Sequence, residues 1–491
     1  MDSSYTTVSE LSQGLARGDY SSAELTSAYL TRVKTAQAST GTFITVDAEG
    51  AHLAAEAADK IRHRGEHTPL TGIPMAHKDI FCTDGLLTTC GSLMLRNFVA
   101  PYDATVVAKL KQAGMVCLGK ANMDEFAMGS SNENSAYGPV ANPWHADHVP
   151  GGSSGGSAAA VGFGQVPIAT GTDTGGSIRQ PAAFCGITGL KPTYGRVSRF
   201  GMVAFASSLD QAGPLARSAQ DAALMLSYMS GFDPRDSTSA QRSDAWLQDI
   251  PTAGIAPLAG KLKIGLPKEY FSNLQETDHL DALIAIFTKM GHQCIEVELP
   301  NTDTAIPAYY VIAGAEASTN LSRYDGVRFG HRCEQPTSLE DLYERSRSEG
   351  FGDEVKRRIL TGTYALSVGY YDAYYLKAQK IRRLISDDFE RAFSNVDILL
   401  TPTAPGPAFV TGALSKNPVA MYQQDKFTVP VSLAGLPALS MPCGFSGGLP
   451  LGAQLIGPAF REDLILGLAR DYQQASDWHL QPPPRGQEAA L

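Results

Sequence analysis

Two loops dense in glycine and serine carry the residues whose types and spacing suit covalent chemistry. The first runs Gly151-Gly-Ser-Ser-Gly-Gly-Ser157, and the second runs Gly171-Thr-Asp-Thr-Gly-Gly-Ser-Ile-Arg-Gln-Pro181. In the second loop the hydroxyl of Ser177 follows two residues without side chains, so consecutive backbone N–H groups can point into one small space, as an oxyanion hole requires. A helix opening over Ile178–Ala183 would place its positive end beside an alkoxide at this serine. The pattern predicts that Ser177 is a nucleophile.

Three other uses of the two loops fit the residues less well. A phosphate-binding P-loop needs a lysine after its glycines, and neither loop has one. Gly151-Gly-Ser153-Ser-Gly155 matches the G-x-S-x-G nucleophile elbow, but that elbow needs a preceding strand, and the proline-flanked Asn142–Pro150 does not read as a strand. A passive linker is disfavoured because a helix over Ala158–Gly164 and a strand over Val166–Thr170 are predicted between the loops.

A serine nucleophile needs a base, and Lys78 is the best candidate. A lysine acts as a base only if burial lowers its pKa from about 10.4 toward 7–8. The run Gly72–Ile80 around Lys78 is apolar enough to bury the amine. Because a hydroxyl both donates and accepts hydrogen bonds, Ser153 can relay the proton between Lys78 and Ser177.

The histidines offer no better base and no metal site. His77 adjoins Lys78 but projects to the opposite face of an extended run. His145 and His148 lie in a proline-flanked loop without a carboxylate pattern, so no metal site is predicted.

Strand-like and helical segments alternate along the chain and must position these residues. The predicted strands are Ile73–Ile80, Met115–Leu118, Val166–Thr170, Leu262–Leu266, Cys294–Glu298, Val396–Leu400, Ala438–Met441 and Gly452–Ile456. The predicted helices include Ser21–Val33, Ala51–Arg64, Ala104–Ala113, Asp278–Met290 and Tyr370–Phe393. Such alternation predicts an α/β fold in which helices cover a mainly buried sheet.

Composition excludes several classes of protein. A chain of 491 residues with 43% hydrophobic and 18% charged residues is not disordered. Its net charge of −10 argues against a protein that wraps DNA or RNA by itself. The seven cysteines include no C-x-x-C pair, which favours reduced thiols in the cytoplasm. We expect no secretory signal in the polar start and no membrane span, since no apolar run reaches the ~18 residues that a span needs.

The block from Gly151 to Thr193 resembles the signature of the amidase signature family almost letter for letter. The resemblance implies one large mixed β-sheet flanked by α-helices on both sides, and a Ser–cis-Ser–Lys triad. Carried over, the triad residues are Ser177 as nucleophile, Ser153 after a cis peptide, and Lys78 as base. The resemblance also implies an oxyanion hole, formed by Thr174, Gly175 and Gly176. The pair Asp173 and Arg179 is expected to brace the loop.

The family resemblance implies a single amidase domain over residues 1–491. Within it we expect a helical N-terminal segment over 1–65 and a signature core over 66–220. Residues 233–260 are predicted to be a surface excursion, residues 261–475 the remainder of the α/β core, and residues 481–491 a flexible tail.

Several further motifs, among them Met123–Asn134, Ala317–Arg328 and Glu354–Ile359, are similar to the tRNA-dependent amidotransferases within that family. This likeness implies a cytoplasmic glutaminase that hydrolyses glutamine through a glutamyl ester and passes ammonia to a B subunit in a heterotrimer with a C subunit. The B subunit would use ATP and Mg²⁺ on misacylated Glu-tRNA(Gln), with Asp-tRNA(Asn) left open, and this chain itself would need no cofactor. The alternative that stays open is a stand-alone amidase of small amides.

The same likeness implies how glutamine is selected. An arginine can hold the α-carboxylate through two parallel hydrogen bonds, and a carboxylate can hold the α-ammonium. Arg358 and Asp425 match these tasks, with neighbouring Arg357 as the alternative to Arg358. The remaining residues expected to line the pocket are Tyr309, Gly129 and Ser130.

Overall fold

Eleven strands in the described part of the chain form one mixed sheet. The computed structural model describes residues 5–272, 274 and 276–484. The strands are β1 (Phe43–Val46), β2 (Pro74–Lys78), β3 (Val116–Ala121), β4 (Ile168–Asp173), β5 (Thr188–Lys191), β6 (Gln211–Ala216), β7 (Lys263–Pro267), β8 (Gln293–Val297), β9 (Ile398–Pro402), β10 (Ala438–Ser446) and β11 (Leu449–Ile456). Their order across the sheet is β1-β3-β2-β4-β6-β5-β10-β11-β9-β7-β8. The pairs β2–β3, β2–β4, β7–β8 and β7–β9 are parallel, and the others are antiparallel.

The α-helices of the described residues flank this sheet. They are α1 (Val8–Arg17), α2 (Ser22–Thr40), α3 (Ala48–His63), α4 (Thr105–Gln112), α5 (Gly155–Gly162), α6 (Arg179–Cys185), α7 (Ala219–Met229), α8 (Ala245–Ala253), α9 (Lys268–Phe271), α10 (Asp278–Lys289), α11 (Ala305–Asn320), α12 (Leu339–Gly350), α13 (Asp353–Ala365), α14 (Lys377–Phe393), α15 (Pro418–Tyr422), α16 (Val429–Leu433) and α17 (Glu462–Ala475). The predicted α/β fold class, with one large mixed sheet, is confirmed. No helix in the described ranges is both long and apolar enough to cross a membrane.

The strands β5 and β6 were not predicted, and three predicted segments differ from the structure. The N-terminal segment, predicted to be helical, also contains β1, which pairs with β3 at the edge of the sheet. This strand was not predicted, because four residues are too few to show the alternation that marks a strand. The helix predicted from Tyr370 begins as α14 at Lys377, after a π-helical turn over Asp372–Leu376. The surface excursion over 233–260 contains α8, and the end of the predicted tail, 485–491, lies outside the described residues.

The parallel pairing of β2 with β4 places the reactive segments side by side. Lys78 is the last residue of β2, and Ala76 of β2 is paired with Ala169 of β4. Because the carboxyl ends of parallel strands meet at the same edge of a sheet, the chain leaving β4 runs past the end of β2. The loop that carries Ser177 therefore starts beside Lys78.

The short helix α5 packs tightly behind this edge because its residues are small. Every residue of α5 is buried, and it contacts β2, β3 and β4. A Cβ atom at Gly156 would lie 2.3 Å from the carbonyl oxygen of Asn122, so only glycine allows this approach. The glycine-rich first loop thus brings the N-terminus of α5, and the serines before it, down onto the sheet.

Candidate active site

The amine of Lys78 lies in the protein interior, surrounded by hydroxyl groups. The residue is fully buried. Its Nζ donates to Ser153 Oγ at 2.8 Å, to Ser154 Oγ at 2.9 Å and to Thr172 Oγ1 at 2.8 Å. Burial lowers the pKa of Lys78 to about 7, although several buried carboxylates, Asp124 foremost, pull it upward. An amine with that pKa is half neutral at pH 7 and can accept a proton.

Ser153 bridges Lys78 to the rest of the loop. The peptide bond between Gly152 and Ser153 is cis, as the family resemblance implies. The Ser153 carbonyl accepts the backbone N–H of Asp124 at 3.2 Å, and its hydroxyl takes the hydrogen bond from Lys78. Ser153 is fully buried, so its hydroxyl exchanges protons with neighbouring groups rather than with bulk water.

Ser177 lies between the end of β4 and the start of α6. Its carbonyl accepts the backbone N–H of Ser154 at 3.2 Å, which ties the two glycine-rich loops together. Ser177 is 7% exposed, whereas Lys78 and Ser153 are fully buried, so Ser177 is the one of the three with accessible surface. Among the hydrogen bonds of the described residues none joins the hydroxyls of Ser153 and Ser177. Of the expected proton relay from Ser177 through Ser153 to Lys78, only the hydrogen bond between Ser153 and Lys78 is present.

The turn before Ser177 leaves backbone donors free. Within the described ranges no acceptor takes the N–H groups of Gly175, Gly176 or Ser177. Thr428 fixes the turn by donating to the Gly175 carbonyl at 2.6 Å, and Thr174 Oγ1 donates to a buried carboxylate, Asp210, at 2.7 Å. A fixed turn with unused donors is what stabilisation of an oxyanion needs.

Both glycines of the turn are required by close neighbours. A Cβ atom at Gly175 would lie 2.8 Å from the ring of Tyr309. Gly176 has a φ of +153°, and a Cβ atom there would lie 2.3 Å from Thr428 Oγ1. Side chains at these positions would displace Tyr309 and Thr428.

Asp173 and Arg179 form a fully buried ion pair that braces the turn, as predicted. Arg179 Nη2 lies 2.8 Å from Asp173 Oδ1, and Arg179 Nε donates to Oδ2 of the same carboxylate at 2.9 Å. The guanidinium also reaches the carbonyl of Thr428 and the side chains of Gln454 and Ser432. These bonds hold β4, α6 and α16 in one arrangement around Ser177.

The structure separates the two neighbouring arginines of α13. Arg357 is exposed and pairs with Glu354 on the surface. Arg358 is 6% exposed, and its Nε donates to Glu354 at 2.8 Å. Its guanidinium carbon lies 5.0 Å from the ring centre of Tyr310 and 5.4 Å from that of Phe205. Within the described residues no acceptor takes the terminal Nη groups of Arg358, which therefore remain available for a carboxylate.

Asp425 and Ser130 contact each other near the turn before Ser177, where a Cβ atom at Gly176 would lie 3.2 Å from Asp425 Oδ1. Ser130 Oγ donates to Asp425 Oδ2, while Oδ1 is buried without a partner among the described residues. Burial raises the pKa of Asp425 to about 7, although the Ser130 hydroxyl and Arg358 act in the opposite direction. An unsatisfied buried carboxylate oxygen costs free energy, which a bound cation would recover.

The two remaining predicted pocket residues, Tyr309 and Gly129, lie close to Gly175 and Asp124 respectively. The Tyr309 ring covers Gly175, as described above, and its hydroxyl has no partner within the described part of the chain. At Gly129 a Cβ atom would lie 2.3 Å from the Asp124 carboxylate, so this glycine lets the chain pass over Asp124.

Sequence reasoning missed three residues that hold the site together. Ser154 and Thr172 supply two of the three acceptors around Lys78. Asp124 accepts the backbone N–H groups of Asn132 and Asn134, at 2.9 and 3.1 Å. Ser154 follows Ser153 in the same loop, and Thr172 is near the end of a predicted strand. Asp124 lies in the motif Met123–Asn134, but the motif did not indicate its role.

The histidines take no part in this arrangement. His77 Nδ1 lies 3.2 Å from Thr170 Oγ1, and burial lowers the pKa of His77 to about 3, so it is neutral. The exposed rings of His145 and His148 contact each other. No group of three or more metal-ligating side chains occurs in the described ranges.

The chain is similar to known proteins along nearly its whole length. The family model described as "Amidase" matches residues 24–466. The A subunit of glutamyl-tRNA(Gln) amidotransferase from Chromohalobacter salexigens is 60% identical over 487 residues, which cover 99% of each chain.

Solved structures give the same result. The crystal structure of the A subunit of glutamyl-tRNA(Gln) amidotransferase from Thermotoga maritima is 40% identical, with a TM-score of 0.80 over 97% of this chain and 96% of that one. The native peptide amidase from Stenotrophomonas maltophilia is 30% identical, with a TM-score of 0.82 over 98% of this chain and 99% of that one. The predicted resemblance is confirmed: the chain belongs to the amidase family.

Proposed function

We propose that this chain is the glutaminase subunit of a cytoplasmic, tRNA-dependent amidotransferase. Its likeness to the corresponding chains of two such amidotransferases over nearly the full length supports this role. The observation that carries it is a guanidinium with free terminal groups, on Arg358, together with a carboxylate oxygen, on Asp425, that has no partner among the described residues and lies 3.2 Å from where a Cβ atom would stand at Gly176, next to Ser177. Free glutamine carries an α-carboxylate and an α-ammonium, so its two charged groups match the guanidinium of Arg358 and the carboxylate of Asp425.

Lys78, Ser153 and Ser177 carry the reaction in this proposal. The neutral amine of Lys78 takes a proton from Ser153, which takes the proton of Ser177 as the Ser177 oxygen attacks the side-chain carbonyl carbon of glutamine. The tetrahedral oxyanion accepts hydrogen bonds from the N–H groups of the turn at Thr174–Ser177. When the C–N bond breaks, the proton returns through Ser153 to the nitrogen, which leaves as ammonia.

A glutamyl ester on Ser177 remains after this step. Water then attacks the ester carbonyl, giving up its proton along the same route, and the ester oxygen leaves with a proton as the Ser177 hydroxyl. Glutamate departs and Lys78 is neutral again. The residues present supply every proton transfer, so this chain needs no cofactor for the half-reaction.

The ammonia is used elsewhere in the complex. We place the ATP- and Mg²⁺-dependent activation of misacylated Glu-tRNA(Gln), and of Asp-tRNA(Asn) where that is a substrate, on a B subunit that is held to this chain together with a C subunit. The net charge of −10 agrees with this division, because a chain that neutralised tRNA phosphates itself would be basic. The alternative is a stand-alone amidase of small amides, an activity that the peptide amidase fold also supports.

The test is the Ser177→Ala variant, assembled with the B and C subunits. Amidation of Glu-tRNA(Gln) driven by glutamine should disappear, while amidation driven by ammonium chloride should stay within about twofold of wild type. Ser157→Ala is the matched control, because Ser157 lies in α5 with a buried hydroxyl that has no partner among the described residues. Loss of both activities in Ser177→Ala, or rapid hydrolysis of simple amides by the lone wild-type chain, would contradict the proposal.

A further inference from the structure

The buried carboxylate of Asp210 lies beside the oxyanion turn and takes no part in the proton transfers described above. Asp210 directly precedes β6, and Thr174 directly follows β4. The two residues therefore stand one step beyond the last pair of this antiparallel ladder, Asp173 with Gln211. At this point a side-chain bond continues the pairing, because Thr174 Oγ1 donates to Asp210 Oδ1 at 2.7 Å.

The carboxylate of Asp210 is held in one orientation by two backbone donors. The N–H of Phe205 donates to Oδ2 at 2.9 Å, and the N–H of Ala206 lies within hydrogen-bond distance of both oxygens, at 3.1 and 3.0 Å. The residue is only 3% exposed, so water does not compete freely for these bonds. Asp210 is thus a fixed acceptor for the Thr174 hydroxyl.

The segment from 205 to 210 is itself anchored to two helices. The backbone N–H of Ser208 donates to Glu316 of α11 at 2.9 Å. Arg382 of α14 donates to the carbonyl of Ser208 at 3.0 Å and to its hydroxyl at 2.8 Å. The bond from Thr174 to Asp210 therefore ties the oxyanion turn to a rigid part of the fold.

We propose that Asp210 is a positioning residue for amide hydrolysis. Through the Thr174 hydroxyl it holds the start of the turn, so that the free N–H groups of Gly175, Gly176 and Ser177 stay directed at the oxyanion. Such donors are effective because they need no reorganisation at the moment of reaction. Asp210 acts through Thr174 and does not itself touch the substrate.

A merely structural role for Asp210 can be separated from this one by substitutions at Thr174. The bonds from the N–H groups of Phe205 and Ala206 stabilise the segment 205–210 whether or not Thr174 is bound. Thr174→Val removes only the bond to the turn and keeps the shape of the side chain. Thr174→Ser keeps the hydroxyl and should restore the positioning.

The experiment measures kcat and KM of the assembled complex with glutamine and, separately, with a simple carboxamide. The use of glutamine rests on the proposed function. Loss of one whole oxyanion donor costs about 10²–10³-fold in kcat, and we expect Thr174→Val to lower kcat at least tenfold. The KM for glutamine should stay within about twofold of wild type, because Arg358 and Asp425 are unchanged. The fall in kcat should be equal on the carboxamide, because both substrates form an oxyanion.

The matched control is Thr105→Val. Thr105 is likewise 3% exposed, and its hydroxyl donates to a buried carboxylate, Asp233, that does not contact the turn. Its kcat should stay within about twofold of wild type, and that of Thr174→Ser within about threefold. Thermal unfolding and amidation driven by ammonium chloride check that each variant folds and assembles. Thr174→Ala, which places no methyl group against the carboxylate, should lose as much as Thr174→Val and replaces it if that variant does not fold.

Four results would overturn the inference. They are a kcat of the Thr174 variants without the hydroxyl within about twofold of wild type, a raised KM with kcat unchanged, a Thr174→Ser variant as slow as Thr174→Val, and an equal loss in Thr105→Val. If the wild-type complex does not hydrolyse glutamine, the proposed function fails. The carboxamide measurements then still decide the role of Asp210, because they do not depend on that proposal.

Discussion

Removal of the Arg358 guanidinium should damage glutamine recognition far more than removal of the neighbouring Arg357 guanidinium. Arg358 is buried against aromatic rings with its terminal Nη groups free of partners among the described residues, whereas Arg357 lies on the surface of the same helix. A hydrogen bond to a charged group contributes about 1.5–3 kcal/mol. Two such bonds to the α-carboxylate correspond to about 3–6 kcal/mol, or about 10²–10⁴-fold in kcat/KM. For the exposed pair of Arg357, worth about 0–1 kcal/mol, the expected change is within about fivefold.

The two arginines form a matched pair because both contact Glu354. An effect that passes only through Glu354 would appear in both Arg358→Ala and Arg357→Ala. Arg358→Lys adds a further comparison, since lysine keeps the charge but not the planar fork, and it should recover only part of the loss.

The assay is steady-state glutamine hydrolysis by the assembled complex, with hydrolysis of a simple carboxamide that has no α-carboxylate as the internal reference. We expect Arg358→Ala to raise the KM for glutamine and to leave the reference amide within about threefold of wild type. An unchanged KM for glutamine, equal losses in the two alanine variants, or an equal loss on the reference amide would refute the assignment of Arg358 to the α-carboxylate.

Three further predictions address the other charged groups of the site. Because burial raises the pKa of Asp425 to about 7, the KM for glutamine should rise as the pH falls below 7, when this carboxyl group becomes protonated. The Asp425→Asn variant should have a high KM that does not depend on pH in this range. An Asp425→Asn profile like that of wild type would exclude Asp425 as the group that binds the α-ammonium. Thr172→Val removes one acceptor from the Lys78 amine and destabilises its charged form more than its neutral form, so the pKa of Lys78 should fall. The rising limb of kcat against pH should therefore move to a pH about one unit lower. A limb that stays in place, or moves to higher pH, would be inconsistent with Lys78 as the base. Asp173→Asn leaves the buried charge of Arg179 without its carboxylate and should lower the free energy of unfolding by about 3–5 kcal/mol, measured with urea. A decrease below about 1 kcal/mol would rule out a bracing role for this ion pair.

Much of the fold was predictable because its elements have clear local signals. The serine N-cap of α2, the glycine after α4 and the apolar runs of β2 and β9 each mark an element in the sequence alone. The strands β1, β5 and β6 were missed because short strands gain stability from pairing with strands that are distant in the sequence, as β1 does with β3. The order of the strands across the sheet also depends on such long-range pairings.

The candidate site divides in a similar way. Ser153 and Ser177 could be predicted because both lie in glycine-rich loops, and few functions other than an oxyanion hole beside a serine nucleophile fit those loops. The contrast between Arg357 and Arg358 was beyond the sequence, since it depends on which side of α13 packs against Tyr310. Asp124 was missed for the same reason, because its role comes from backbone N–H groups that only the folded loop brings to it.

The central claim is that the amine of Lys78 is neutral near physiological pH inside a fully buried site. It is tested most directly by NMR titration of the protein with isotopically labelled lysine side chains, recorded for wild type and for Lys78→Met. Lys191 is also buried with a pKa lowered to about 7, so Lys191→Met is needed to separate the two signals. The account predicts that the resonance lost in Lys78→Met titrates with a midpoint near pH 7. A midpoint for that resonance near the ordinary lysine value of about 10.4 would contradict it.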